Sequence, residues 1–60
     1  ATVVTIRPIK KGEKFTKDNI WVKRPGTGEI PAEKYKDILG KVSLVDLKSD
    51  IHIKWSDINE

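Results

Sequence analysis

The sequence contains no cysteine, so neither a disulfide framework nor a zinc-thiolate site can supplement the core, and packing and turn chemistry must hold the chain together. Long apolar runs are also missing. None approaches the ~20 residues needed to cross a bilayer, and the opening Ala1-Thr2-Val3-Val4-Thr5 has neither the basic nor the apolar region of a signal peptide. The expectation is a soluble, cytoplasmic chain with no membrane partner. Groups for catalysis are scarce, with His52 the sole histidine and serines only at 43, 49 and 56, too few for a convergent nucleophile and base. Carboxylates are plentiful, but none has the close His/Asp/Glu spacing of a metal site. No catalytic residue and no metal ligand is expected within the chain, and His52, set between Ile51 and Ile53, should face solvent if those two face the core.

What is present is short and charged. A chain of 60 residues has room for one core and one domain, and a domain of this size buries only about 60% of its unfolded surface. The net charge is +3, yet the acids, among them Glu13, Asp18, Glu29, Glu33, Asp37, Asp46, Asp50 and Asp57, are spread along the whole chain. That spread argues against a nucleic-acid or membrane partner. The cluster Lys10, Lys11, Lys14 and Lys17 lacks an interleaved aromatic platform and reads as a solvated turn.

Val3 to Ile6 has strand composition and must stop at Pro8, which cannot donate to a ladder. Residues 9–13 read as a turn. Thr16 suits the N-cap of a one-turn helix through Lys17, Asp18 and Asn19 to Ile20, after which residues 21–24 are extended. Pro25-Gly26-Thr27-Gly28 is the strongest loop signal, with two glycines free to adopt positive φ. Pro31 suits the first position of a helix of two to three turns, with Tyr35, Ile38 and Leu39 on one face and Gly40 ending it. Val42 to Val45 and Ile51 to Ile53 read as further strands, and Ser56-Asp57-Ile58 as a final single turn.

A displacement of 38 residues brings the two ends of the chain into register, with Val4 on Val42, Ile6 on Leu44, Ile9 on Leu47, Phe15 on Ile53 and Ile20 on Ile58. The same shift sets Lys10 on Lys48 and the Lys17-Asp18-Asn19 turn on Trp55-Ser56-Asp57. An internal repeat of strand, turn, strand and helical turn follows. The predicted fold is mostly β with short helical turns, a pseudo-twofold β-clip. Val4, Ile6, Phe15, Ile20, Val42, Leu44, Ile53 and Ile58 are its expected shared core.

Arg24 stands apart. The following proline keeps it extended, the glycines beyond leave little bulk around the guanidinium, and its planar donors suit carboxyl, carbonyl and amide oxygens. On these grounds a ligand-facing arginine and an ordinary surface arginine beside a tight turn remain equally open. Gly26-Thr27-Gly28 lacks the Gly-x-Gly-x-x-Gly pattern of a phosphate loop.

The segments Ile9-Lys10-Lys11-Gly12-Glu13, Phe15-Thr16-Lys17-Asp18-Asn19-Ile20 and Val22-Lys23-Arg24-Pro25-Gly26, with Gly28, Ile38-Leu39-Gly40-Lys41 and Ser56-Asp57-Ile58, resemble the C-terminal antifreeze-like (SAF) domain of bacterial N-acetylneuraminate (sialic acid) synthases. The resemblance implies an accessory domain, non-catalytic by itself, of an enzyme that condenses phosphoenolpyruvate with N-acetylmannosamine or a related amino sugar. It further implies a preceding (β/α)₈ barrel that carries the chemistry and a divalent metal, manganese or magnesium, while this domain holds no cofactor. The domain is expected to cover the barrel of its partner in a homodimer, and Arg24, supported by Pro25, Gly26, Thr27 and Gly28, to help position the sugar's N-acetyl group. The fold is shared with fish type III antifreeze proteins, so an ice-binding module is one alternative and a stand-alone polyanion-binding module another. Gly12, Glu13, Lys14, Lys17 and Asp18 depart from a flat, weakly polar ice-binding face, because hydrated charges oppose such a contact.

Overall fold

The computed structural model describes residues 1–60. Four short strands form two separate antiparallel pairs. β1 (Thr2–Thr5) pairs with β2 (Ile20–Lys23), and β3 (Val42–Ser43) pairs with β4 (Ile58–Asn59). Between the pairs the chain makes a 3₁₀ turn at Ala32–Lys34 that runs into the single α-helical turn α1 (Tyr35–Ile38), and a second 3₁₀ turn at Trp55–Asp57 precedes β4. Of 29 backbone hydrogen bonds, 20 lie outside these elements. Turns and isolated bridges therefore carry most of the obligatory backbone pairing, which is why no broad sheet is needed.

The internal repeat holds at the level of individual hydrogen bonds. Thr5 N–H donates to the Ile51 carbonyl at 2.8 Å, and its counterpart Ser43 donates to Glu13 at 2.9 Å. Ile6 donates to Asn19 at 2.9 Å, as Leu44 does to Asp57 at 2.8 Å. Bridges Val4 to His52 and Lys14 to Val42 are the same interaction seen from either repeat, and so are the registers Thr5 to Ile20 and Ser43 to Ile58. Gly12 and Asp50, again equivalent, both have positive φ, at 90° and 61°. The helical turns match too. Asn19 Oδ1 accepts from Thr16 N–H at 2.8 Å, Asp57 Oδ2 accepts from Lys54 N–H at 3.0 Å, and in the first copy the Thr16 hydroxyl also caps Asp18 N–H at 3.2 Å.

The core comprises Val3, Ile9, Phe15, Ile20, Ile30, Ile38, Leu47, Ile53 and Ile58. Four expected members are not in it: Ile6 is 46% exposed and Leu44 43% exposed, Val42 is half-buried, and Val4 is buried outside this cluster. The repeat equates Ile6 with Leu44 correctly, for both lie outside. In β1, Val3 and Thr5 share one face with their partners Val22 and Ile20, and Thr2 and Val4 the other; all four are buried, and Ile6 lies one residue beyond the strand. Val4, at 3% exposure, shares its face with its partner Trp21. The buried polar side chains are satisfied throughout. The Thr5 hydroxyl donates to Lys48 O at 2.6 Å and accepts from Ile51 N–H at 2.9 Å, and Asn19 Nδ2 donates to Lys14 O at 2.9 Å.

The strands are shorter than the composition suggests. Residues 51–53 contribute a single bridge at His52, and the last turn falls at Trp55–Asp57, one residue earlier than expected. The central helix begins as 3₁₀ after Pro31 and ends where Gly40, at φ 88°, reverses the chain.

Candidate functional site

Residues 24–28 leave the end of β2 and return to the core at Ile30. The segment is pinned at nearly every step. Lys23, the last residue of β2, holds Asp50 through Nζ–Oδ1 at 2.6 Å, and the lysine hydrogen bond and charge hold the Asp50 carboxyl below its ordinary range. The Arg24–Pro25 peptide bond is cis. Thr27 N–H donates back to the Pro25 carbonyl at 2.9 Å, closing a three-residue turn. Beyond the loop, Ile30 is fully buried and its carbonyl accepts from Val3 N–H at 2.9 Å, while Glu29 Oε2 accepts from Trp55 N–H at 2.6 Å. Trp21 and Tyr35 meet edge to face at 5.3 Å and 86°, so β2 is also fixed against α1.

The two loop glycines do not use positive φ, contrary to the sequence expectation; in this chain only Gly12 and Gly40 do among the glycines. Gly26 and Gly28 serve close approach instead. A Cβ on Gly26 would lie 3.2 Å from the Ala1 nitrogen, and one on Gly28 would fall on Nδ1 of His52 and within 2.9 Å of the Thr2 hydroxyl. The missing bulk makes room for neighbouring residues, not for the guanidinium.

Arg24 itself is exposed, and its guanidinium has no ion-pair partner in the chain, the two pairs present being Lys23 with Asp50 and Lys34 with Asp37. An anchored backbone thus presents an uncommitted arginine. Such an arrangement can donate planar hydrogen bonds to an oxygen-bearing ligand. It supplies no acid, base or nucleophile.

His52 was expected to face solvent and does so only in part. The residue is half-buried, with Nδ1 at 3.2 Å from the Thr2 hydroxyl and Nε2 at 3.3 Å from the Thr27 hydroxyl. Thr2 and His52 are therefore parts of the loop's support that residue-by-residue reading missed. The only signal for them in the sequence was the glycine at position 28, which implied a close neighbour without naming it. No group of three or more acidic or histidine side chains is placed to hold a metal ion. No helix is long and apolar enough to cross a membrane.

Residues 1–59 match the family model described as SAF domain. The chain is 41% identical over 49 residues to the N,N'-diacetyllegionaminic acid synthase of Campylobacter jejuni, a match covering 82% of this chain and 14% of that protein. It superposes on the crystal structure of the Bacillus subtilis spore coat polysaccharide biosynthesis protein SpsE with a TM-score of 0.85 at 34% identity, covering 98% of this chain and 17% of that one. The chain thus spans less than a fifth of either relative.

Proposed function

The chain belongs to the SAF domain family, and on that premise we propose that it is the substrate-covering accessory domain of a synthase that condenses phosphoenolpyruvate with an N-acetylated amino sugar. The observation that carries this reading is Arg24, exposed and unpaired on a loop whose backbone is tied down on both sides. A fixed loop matters because a contact contributes to rate only when its geometry is held before the substrate arrives. N-acetylmannosamine or a related sugar fits the donor set, since its acetamido oxygen can accept from the guanidinium. A relative named for a diacetylated acid supports an acetylated substrate.

In this reading a (β/α)₈ barrel carries the bond-forming chemistry and its divalent metal, and this domain lies over the barrel of the partner subunit in a homodimer, excluding water from the substrate. The domain contributes no catalytic group. An ice-binding role is disfavoured by the exposed charges of Glu13, Lys14, Lys17 and Asp18, whose hydration opposes a flat apolar contact.

The test is steady-state kinetics of the polypeptide carrying this chain, with Arg24→Ala. A raised KM for the amino sugar with an unchanged KM for phosphoenolpyruvate supports the proposal; unchanged sugar kinetics in a folded variant refutes it. A DNA titration of the isolated chain at two salt concentrations checks the polyanion alternative, which requires binding that weakens steeply with ionic strength.

A further inference from the structure

One ring bridges the tip of the Arg24 loop to β1. His52 lies 24 residues downstream of Gly28, beside β1, where the bridge to Val4 fixes its backbone. From there the imidazole reaches in two directions: Nδ1 to the Thr2 hydroxyl at 3.2 Å and Nε2 to the Thr27 hydroxyl at 3.3 Å. The Thr2 hydroxyl also accepts from Gly28 N–H at 3.2 Å. These contacts join β1, the ring and both ends of the Thr27-Gly28 segment. Either neutral tautomer satisfies them, because each threonine hydroxyl can donate to or accept from a ring nitrogen.

Packing makes the tie specific. Any Cβ at Gly28 would meet the ring at Nδ1 and, at 2.9 Å, Cγ, so the loop backbone lies directly against the imidazole. Thr27 is otherwise exposed, and its hydrogen bonds are the one to His52 and the local turn to Pro25. Without the ring, Thr27 loses its tie toward β1, and Gly28 keeps only its N–H bond to the Thr2 hydroxyl. Arg24 then hangs between Lys23, fixed to Asp50, and a released turn.

We propose that His52 is a positioning residue for the substrate-facing loop, its imidazole bridging Thr2 and Thr27 so that Arg24 is presented in one orientation. The inference rests on the ligand-facing reading of Arg24 for its functional consequence, but the tie itself can be measured without any substrate. It assigns His52 no contact with the sugar and no proton transfer.

The experiment has two arms. In the first, ¹⁵N relaxation is measured on the amides of Gly26, Thr27 and Gly28 in the chain and in His52→Ala, His52→Gln and Thr27→Val. The expected result is a fall in their order parameters from about 0.85 toward 0.6 in His52→Ala and Thr27→Val, with β1, β2 and α1 unchanged and partial recovery in His52→Gln, whose amide can still reach one threonine. Unchanged loop order in His52→Ala overturns the proposal, and if that variant does not fold, Thr27→Val decides, since it leaves the ring and the core in place. Gly28→Ala provides a crossed check: it should loosen the loop in the parent chain and do so much less when His52 is already alanine.

In the second arm, the full-length synthase carrying this chain is assayed. His52→Ala should raise the amino-sugar KM about three- to tenfold, the worth of a neutral hydrogen bond, with kcat within about twofold, and should add little in an Arg24→Ala background. Fully additive effects would mean that His52 acts elsewhere, which overturns the positioning role. If Arg24→Ala leaves sugar kinetics untouched while His52→Ala still disorders residues 26–28, the Arg24 reading fails and the structural tie stands.

Discussion

Ile9 and Leu47 donate a backbone N–H to each other's carbonyl, at 2.8 and 2.6 Å, and each is the other's counterpart under the 38-residue displacement. Two equivalent residues can pair reciprocally only at the axis that relates them, so the pseudo-twofold passes between them. Both side chains are in the core. Their place on the axis means that each half of the molecule completes the other, and neither is a subdomain.

The first prediction follows from that placement. Ile9→Ala and Ile20→Ala should each cost about 2–5 kcal/mol, as for large-to-small changes in a packed core, enough to unfold much of a small domain at ambient temperature. Ile6→Ser and Leu44→Ser, on the exposed positions, should stay within about 0.5 kcal/mol. Urea denaturation of the four variants checks the contrast, and a severe loss in either serine variant would mean that the repeat was assigned the wrong face.

Asp50 offers a backbone test. It sits at φ 61° where its repeat counterpart Gly12 sits at φ 90°, a region that costs a side-chain-bearing residue about 1–2 kcal/mol unless the residue is Asn, Asp or Gly. Asp50→Asn should therefore be tolerated, Asp50→Ala should destabilise by about 1 kcal/mol or more, and Gly12→Ala should do the same. Thermal melts of the three give the ranking directly. Equal melting temperatures for the asparagine and alanine variants would remove the conformational argument.

The same residue sets a pH dependence. Hydrogen bonding and charge from Lys23 lower the Asp50 pKa, so the folded state binds that proton less readily than the unfolded chain. The stabilisation is present above the ordinary carboxylate pKa and is lost as pH falls through the lowered folded value. Both partners are well exposed, so the effect should be small and should shrink in high salt. Stability measured from neutral to acid pH should fall less steeply for Asp50→Asn than for the parent chain, and identical slopes at low salt would exclude the pair as a contributor.

Arg24 should separate stability from function. With no partner in the chain, Arg24→Ala should change folding stability by no more than about 0.5 kcal/mol. On the proposed function, the same change in the full-length enzyme should remove a charge-assisted hydrogen bond of about 1.5–3 kcal/mol, a roughly ten- to hundredfold loss in kcat/KM for the amino sugar. Arg24→Lys should recover only part, since an ammonium lacks the planar fork. Denaturation of the chain beside kinetics of the enzyme checks both halves, and an unfolded domain with intact sugar kinetics would make Arg24 structural.

The sequence by itself determined the repeat, the turn capped by Thr16, the end of β2 before Pro25 and the exposed arginine at its tip. These are encoded locally or as a fixed displacement. Thr16 and Asn19 cap within one turn, a proline restricts its own neighbour, and equivalent residues occupy equivalent positions whichever face they show. Tertiary structure alone decided which positions are buried and what holds the loop. Val4 and Ile6 stand two residues apart, in β1 and just past its end, yet one is buried and the other is not, because cover comes from distant segments. In the same way Gly28 meets His52 and Thr2, 24 and 26 residues away. No local pattern carries such a contact, since it exists only once the chain has closed about the Ile9–Leu47 axis.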